Sequence, residues 1–206
     1  MLSFKANFDD AYRGLSDLAR KQLPYATAMA LNDTAQDVKS AEEADIENEF
    51  ENPTPFTKRA LYLRRASKSR LTSEVGVKRV QAGYLKRQVT GGVRRPAGRA
   101  LLVPGSIRLN KYGNMPKGAV KRMLARPNTF VASKKKSATR HMRPGIYQRK
   151  GSARRGTAGV KLLVAFEARA SYQKRWNFRG IAIRKGRGTF EGHYLRWVKR
   201  AIATKK

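Results

Sequence analysis

Acid–base or metal chemistry in this chain would have to come from 2 histidines and 14 carboxylates, because cysteine is absent. His141 and His193 each stand among basic residues, with no partner at the spacing a zinc site requires. A general base also needs an orienting group; His193 instead reads as part of a helix surface. Six of the carboxylates crowd into ten residues: Glu42, Glu43, Asp45, Glu47, Glu49 and Glu51. A hydrolytic acid pair would be drawn mostly from these. Magnesium and calcium, however, need oxygens that converge on one point, and density along a helix is not convergence. The cluster therefore reads as a solvated or partner-facing helix. Two glycine patterns also fall short. Gly113 to Gly118 has phosphate-loop spacing, but Ala119 stands where the lysine is needed. Gly186-Arg-Gly188 opens like a dinucleotide fingerprint, but the third glycine, Gly192, comes one residue late. A nucleophile elbow is missing too. No catalytic residue, metal or cofactor is expected, and the chain is expected not to be an enzyme.

Charge is the stronger signal. Residues 1–51 hold 11 acidic and 5 basic groups, net −6, whereas residues 52–206 hold 3 acidic and 41 basic groups, net +38; together they give the formal charge of +32. A field of that size repels itself in an isolated domain and calls for a polyanion, an acidic protein surface, or both. The candidate contacts are Arg64, Arg65, Lys68 and Arg70, then Arg94 and Arg95, then Lys134, Lys135 and Lys136, then Arg154 and Arg155. Many sit in glycine- and serine-rich loops, where backbone N–H groups and side chains both reach phosphates. None matches an RNA-recognition or zinc-finger motif, and no element is marked for the major groove, so contacts with the DNA backbone alone are expected. An acidic protein neighbour satisfies the same charges equally well. Conversely, Glu43, Glu47 and Glu51 are candidate docking residues for a basic partner, such as the next copy of the same chain.

No apolar run approaches the ~20 residues that span a bilayer; the longest, Val160 to Ala170, is broken by Lys161, Glu167 and Arg169. Met1 to Phe4, followed by Asp9 and Asp10, lacks the pattern of a signal peptide. A protein made and used without export or a membrane partner is expected.

The elements that must carry these charges can be read from periodicity. Ala28, Leu31, Ala35 and Val38 recur at spacings of 3 and 4, a small-residue helical stripe. Pro24 is expected to start that helix rather than sit inside one, and Asn52-Pro-Thr-Pro55 to stop it. Thr54-Pro55 reads as the cap and first turn of a short helix, Phe56 to Leu63. Leu71, Ser73, Val75 and Val77 alternate as in a half-buried strand. Gln81 to Val89 reads as a helix closed by Gly91-Gly92. Leu101 to Val103 is a candidate strand, and Gly118 to Ala125 a short helix with Val120 and Leu124 on one side. Ser133 to Ser137 reads as an exposed loop. Gly145 to Arg149 and Val160 to Ala168 form a candidate hairpin, and Arg179 to Ile183 a candidate further strand. Phe190, Tyr194, Trp197 and Ala201 mark an amphipathic C-terminal helix capped by Thr189. The fold class is α+β: N-terminal helices, a small antiparallel sheet with long basic loops, and a C-terminal amphipathic helix. One domain over residues 1–206 is expected, with residues 1–51 an acidic helical segment and residues 52–206 a basic body.

The stretch from Leu23 to Val38, LPYATAMALNDTAQDV, resembles the opening helix of tailed-bacteriophage virion proteins of the neck and tail-completion type. The likeness continues in Asn52 to Thr57, Tyr84 to Gly92, Val103 to Gly105, Lys111 to Asn114, Pro144 to Arg149 and Val160 to Phe178, so it covers most of the chain. The early part is also similar, more loosely, to the minor tail protein Z family, over about the first eighty residues. The resemblance implies an oligomeric ring component joining head or portal to tail, in the neck or tail region of a virion and close to packaged DNA. Implied partners are further copies of the chain and virion proteins such as portal, adaptor or tail tube. It carries no catalytic residues over. A cellular nucleic-acid-binding protein of ribosomal or nucleoid type is the alternative; long unstructured basic tails are more usual there than an apolar-striped segment and an amphipathic helix at the ends.

Overall fold

A computed structural model describes residues 2–5, 17–151 and 159–203. Their contacts divide the chain into two compact units, residues 1–90 with 174–206, and residues 91–173. One domain over residues 1–206 is expected from the sequence because no Pro/Gly/Ser-rich linker marks either join. Among the described residues the architecture is α+β, with long helices towards both ends and small antiparallel sheets between.

In the first unit the small-residue stripe produces a long helix, α1, Asp17–Glu49. Ala28, Leu31, Ala35, Val38 and Ile46 are buried along it. Pro24 lies inside α1 rather than starting a new helix. Its ring removes one backbone hydrogen bond, a loss offset by packing of the same helix along a second long helix. The chain leaves α1 through Asn52, which has a left-handed φ of 47°. Thr54 caps the next helix, α2, by accepting from Thr57 N–H at 3.1 Å. The cap and Pro55 are as expected, but α2 spans only Pro55–Lys58. The chain then enters strand β2, Leu61–Arg64, paired with β3, Thr72–Val77, which also pairs with the N-terminal strand β1, Leu2–Lys5. All pairings are antiparallel. A central strand under α1 is buried on both faces, so Ser73, Glu74 and Val75 are all inside; the alternating, half-buried expectation fails for that reason.

Helix α3, Arg79–Thr90, follows β3, and the chain leaves it through Gly91 and Gly92, both at positive φ. The unit is completed by its last helix. The expected strand at Arg179 to Ile183 and the expected cap at Thr189 are both corrected: one helix runs from Phe178 to Ala203. Thr189 Oγ1 instead bonds back to the Lys185 carbonyl at 3.0 Å. Phe178, Ala182, Gly186 and Ala201 form its buried stripe. Ala182 meets Ala35, Val38 and Val75. Ile46, Leu61, Leu85, Trp176 and Phe178 form the other large cluster.

The second unit holds strands β4, Gly92–Arg94; β5, Leu101–Pro104; β6, Thr129–Ala132; β7, Gly145–Lys150; β8, Gly159–Glu167; and β9, Ala170–Tyr172. β4 pairs with β9, and the other four form an antiparallel sheet in the order β5-β8-β7-β6. The expected β7–β8 hairpin is present; its turn, residues 152–158, lies outside the described residues. A Cβ on Gly145 would sit 2.5 Å from the Val164 carbonyl oxygen, so the two strands meet there only because the position is glycine. Ile146, Leu163 and Val164 pack on helix α4, Ala119–Leu124. Its buried residues are Ala119 and Met123, with Val120 partly buried against the same cluster, whereas Leu124 is exposed. In chain order the C-terminal helix of the first unit, Phe178–Ala203, is α5.

Candidate functional site

The first basic cluster sits at the tip of the β2–β3 hairpin. Arg64, Arg65, Lys68 and Arg70 are exposed on a turn closed by reciprocal backbone bonds between Ser67 and Arg70. The turn is fastened to α1 by one side chain. Asn32 Oδ1 accepts from Ala66 N–H at 2.7 Å, and Asn32 Nδ2 donates to the Ala66 carbonyl at 3.1 Å. Ser73 Oγ donates to the same Asn32 oxygen. The tip is therefore held rather than loose, and its four cations project from fixed backbone. Arg64 lies 3.6 Å from Glu74. Lys68 sits over the Tyr25 ring, and Trp197 meets Tyr25 edge-on with Arg200 over its own ring. Cations interleaved with aromatic faces suit a phosphate-bearing ligand.

In the second unit, Arg94 and Arg95 are exposed at and just after β4, and Lys134, Lys135 and Lys136 are exposed on the turn after β6. That turn is braced by Thr139 Oγ1 bonding the Ser133 carbonyl. Arg154 and Arg155 lie outside the described residues. Among the described residues, Arg65, Lys68, Arg70, Arg94, Arg95 and Lys134 to Lys136 form no ion pair with a carboxylate.

The acidic helix is arranged differently from expectation. Glu43 pairs with Lys39 at 2.7 Å and Glu47 with Lys58 at 2.8 Å, while Glu51 is exposed. Glu42, expected on a solvated face, is fully buried and accepts from Trp176 Nε1 at 2.9 Å. Burial raises its pKa from the ordinary 4.5 to about 8, against the opposing Trp176 bond and with help from Asp45. Asp45 is itself raised, first by burial and then by Glu49, while Arg184 opposes. At neutral pH Glu42 is therefore mostly a neutral carboxyl that tolerates the interior.

The carboxylates that α1 spends on its neighbour lie one to four turns earlier. Asp33 accepts from Arg196 at 2.7 Å and from Trp197 Nε1 at 2.6 Å. His193 Nε2 meets Asp37 at 2.7 Å, and the Arg196 guanidinium donates to its Nδ1 at 2.9 Å. His193 is thus a half-buried bridge between α1 and α5, not a residue of the free helix surface. Both ring nitrogens are engaged, one by Asp37 and one by Arg196. This network escaped the sequence reading; the available signal was Asp33 and Asp37 at helical spacing opposite His193 and Trp197, also at helical spacing.

No family model, curated protein or solved structure matches the chain. No helix among the described residues is long and apolar enough to cross a membrane.

Proposed function

We propose that the chain is a non-enzymatic structural protein of a tailed-phage virion, an oligomeric neck or tail-completion component that joins head or portal to tail beside the packaged DNA. The resembling motifs supply the virion setting. The observation that carries the DNA side is the charge of residues 91–173: 20 basic residues and one carboxylate, Glu167, which is already bonded to Arg143. A unit with net +19 needs an external polyanion to offset its self-repulsion. DNA backbone supplies that without base readout, and counterion release drives the contact. The exposed acids at the end of α1 then face a basic neighbour in the assembly.

The test is the mass of the purified protein in solution together with its co-purification from particles. A defined ring, or recovery with portal or tail proteins, is the expected result. A monomer that binds RNA tightly and salt-sensitively, with no virion partner, overturns the reading in favour of a cellular nucleic-acid-binding protein. A sharper arm is the triple variant Glu43→Lys, Glu47→Lys, Glu51→Lys. Of the two internal pairs it breaks, Glu47–Lys58 is exposed and Glu43–Lys39 is part-buried; surface pairs of this kind contribute about 0–1 kcal/mol each, so the monomer is expected to stay folded while assembly is lost.

A further inference from the structure

We propose that the groove between α2 and the start of α3 binds single-stranded nucleic acid, with Phe56 as a base-stacking platform and Arg59, Lys78 and Arg79 holding the flanking phosphates. None of these residues belongs to the basic clusters of the hairpin tip or the second unit, and the proposal stands independently of the virion reading. The groove has a volume of about 580 Å³, and its walls include Pro55, Phe56, Arg59, Lys78, Arg79 and Val80. Phe56 is 54% exposed and Val80 is 70% exposed, an unusual outlay of apolar surface beside three cations.

The platform is rigid. Thr54 caps the turn that carries Phe56, and Pro55 fixes its first residue. The buried Gln81 side chain donates to the Phe56 carbonyl at 3.3 Å. The Thr57 hydroxyl meets the Tyr84 hydroxyl at 3.0 Å, tying α2 to the middle of α3. Lys78 Nζ donates to the Arg59 carbonyl at 2.8 Å, which keeps its charge at the groove. Arg59 and Arg79 form no ion pair with a carboxylate among the described residues, and no acidic residue lines the groove. A ring fixed in place loses little entropy on stacking. Only an unstacked base offers it a free face, because bases in a duplex are covered by their neighbours. Stacking with charge contacts is the usual basis of sequence-tolerant single-strand binding.

The experiment uses the full chain and a short oligothymidylate carrying 5-iodouracil, with anisotropy for affinity and photocrosslinking for position. Phe56→Ala is expected to weaken single-strand binding about tenfold and leave a duplex of equal charge unaffected. Phe56→Trp is expected to restore binding. Replacing Arg59 and Arg79 together by Gln is expected to lower the slope of log K against log salt by about 0.7 for each phosphate no longer neutralised. The crosslink is expected on the peptide containing Phe56. Unfolding curves check that Phe56→Ala is folded, as an exposed side chain should allow. Equal loss for single strand and duplex, no loss for either, or a crosslink confined to other basic loops overturns the proposal. So does an acidic peptide, poly-glutamate as the probe, that competes as well as the oligonucleotide and shows the same dependence on Phe56.

Discussion

Glu42 and Asn32 carry the sharpest consequences for single residues. The folded-state pKa of Glu42 lies above its unfolded value, at about 8 against 4.5. The folded chain therefore holds the proton over a range where the unfolded chain has lost it. No penalty exists below pH ~4.5, a penalty grows as pH rises towards ~8, and it stays constant above that. The slope is at most about 1.4 kcal/mol per pH unit. Glu42→Gln keeps an acceptor for Trp176 Nε1 and cannot ionise. Denaturant unfolding across pH ~4.5 to ~9 is expected to show the variant and the parent alike in acid, with the variant more stable in base; parallel curves would remove the buried-carboxyl argument. Asn32→Ala leaves the Ala66 N–H and carbonyl without their partner. Each stranded buried group costs about 1–3 kcal/mol. Faster hydrogen exchange across residues 64–70, with weaker DNA binding, is the expected signature.

For the elements, the long pairing of α1 with α5 decides the outcome. Ala35 and Ala182 meet with Val38 and Val75 at an interface that only small residues permit. Ala182→Leu overpacks this interface and should cost about 1–3 kcal/mol in chemical denaturation; a neutral result would mean that the helices have room to spare. Much of the first unit was legible. The stripe of α1, the Thr54 cap and α3 follow from periodicity and turn chemistry, as does the β7–β8 hairpin of the second unit. The first half of α5 was not, because Gly180, Gly186 and Gly188 among arginines look like a turn region. Their helix forms because α1 offers an apolar, small-residue face, and packing overrides poor local propensity. The same logic explains Pro24 inside α1. Gly76 illustrates a different limit: a Cβ there would meet the Tyr62 ring at 2.7 Å. A glycine adds no side chain to a strand's packing, yet this one makes room for the ring whose hydroxyl reaches Glu74.

The whole molecule is governed by charge that it cannot neutralise by itself. The second unit carries net +19 over residues 91–173, and the first carries the remaining +13. Self-repulsion is screened over about 8–10 Å at moderate salt. Calorimetry in rising sulfate or polyphosphate should therefore raise the melting temperature of the second unit more than that of the first. Equal shifts, or none, would show that the charges are spaced widely enough to be harmless. Replacing Arg64, Arg65, Lys68 and Arg70 with alanine should reduce the salt slope of duplex binding by about 0.9 for each phosphate left without its cation.

The sequence by itself determined the α+β class, the helical stripe of α1, the basic loops and the imbalance of charge, because these depend on residue types and on short-range periodicity. The tertiary structure alone decided which carboxylates are free. Asp33 and Asp37 are bonded to α5, Glu42 is buried against Trp176, and Glu51 stays exposed. Those residues are alike in composition and close in sequence. Glu42 parts from Asp33 and Asp37 because each step along a helix turns the side chain by about 100° and only packing settles which face is covered, whereas Glu51 lies past the end of α1.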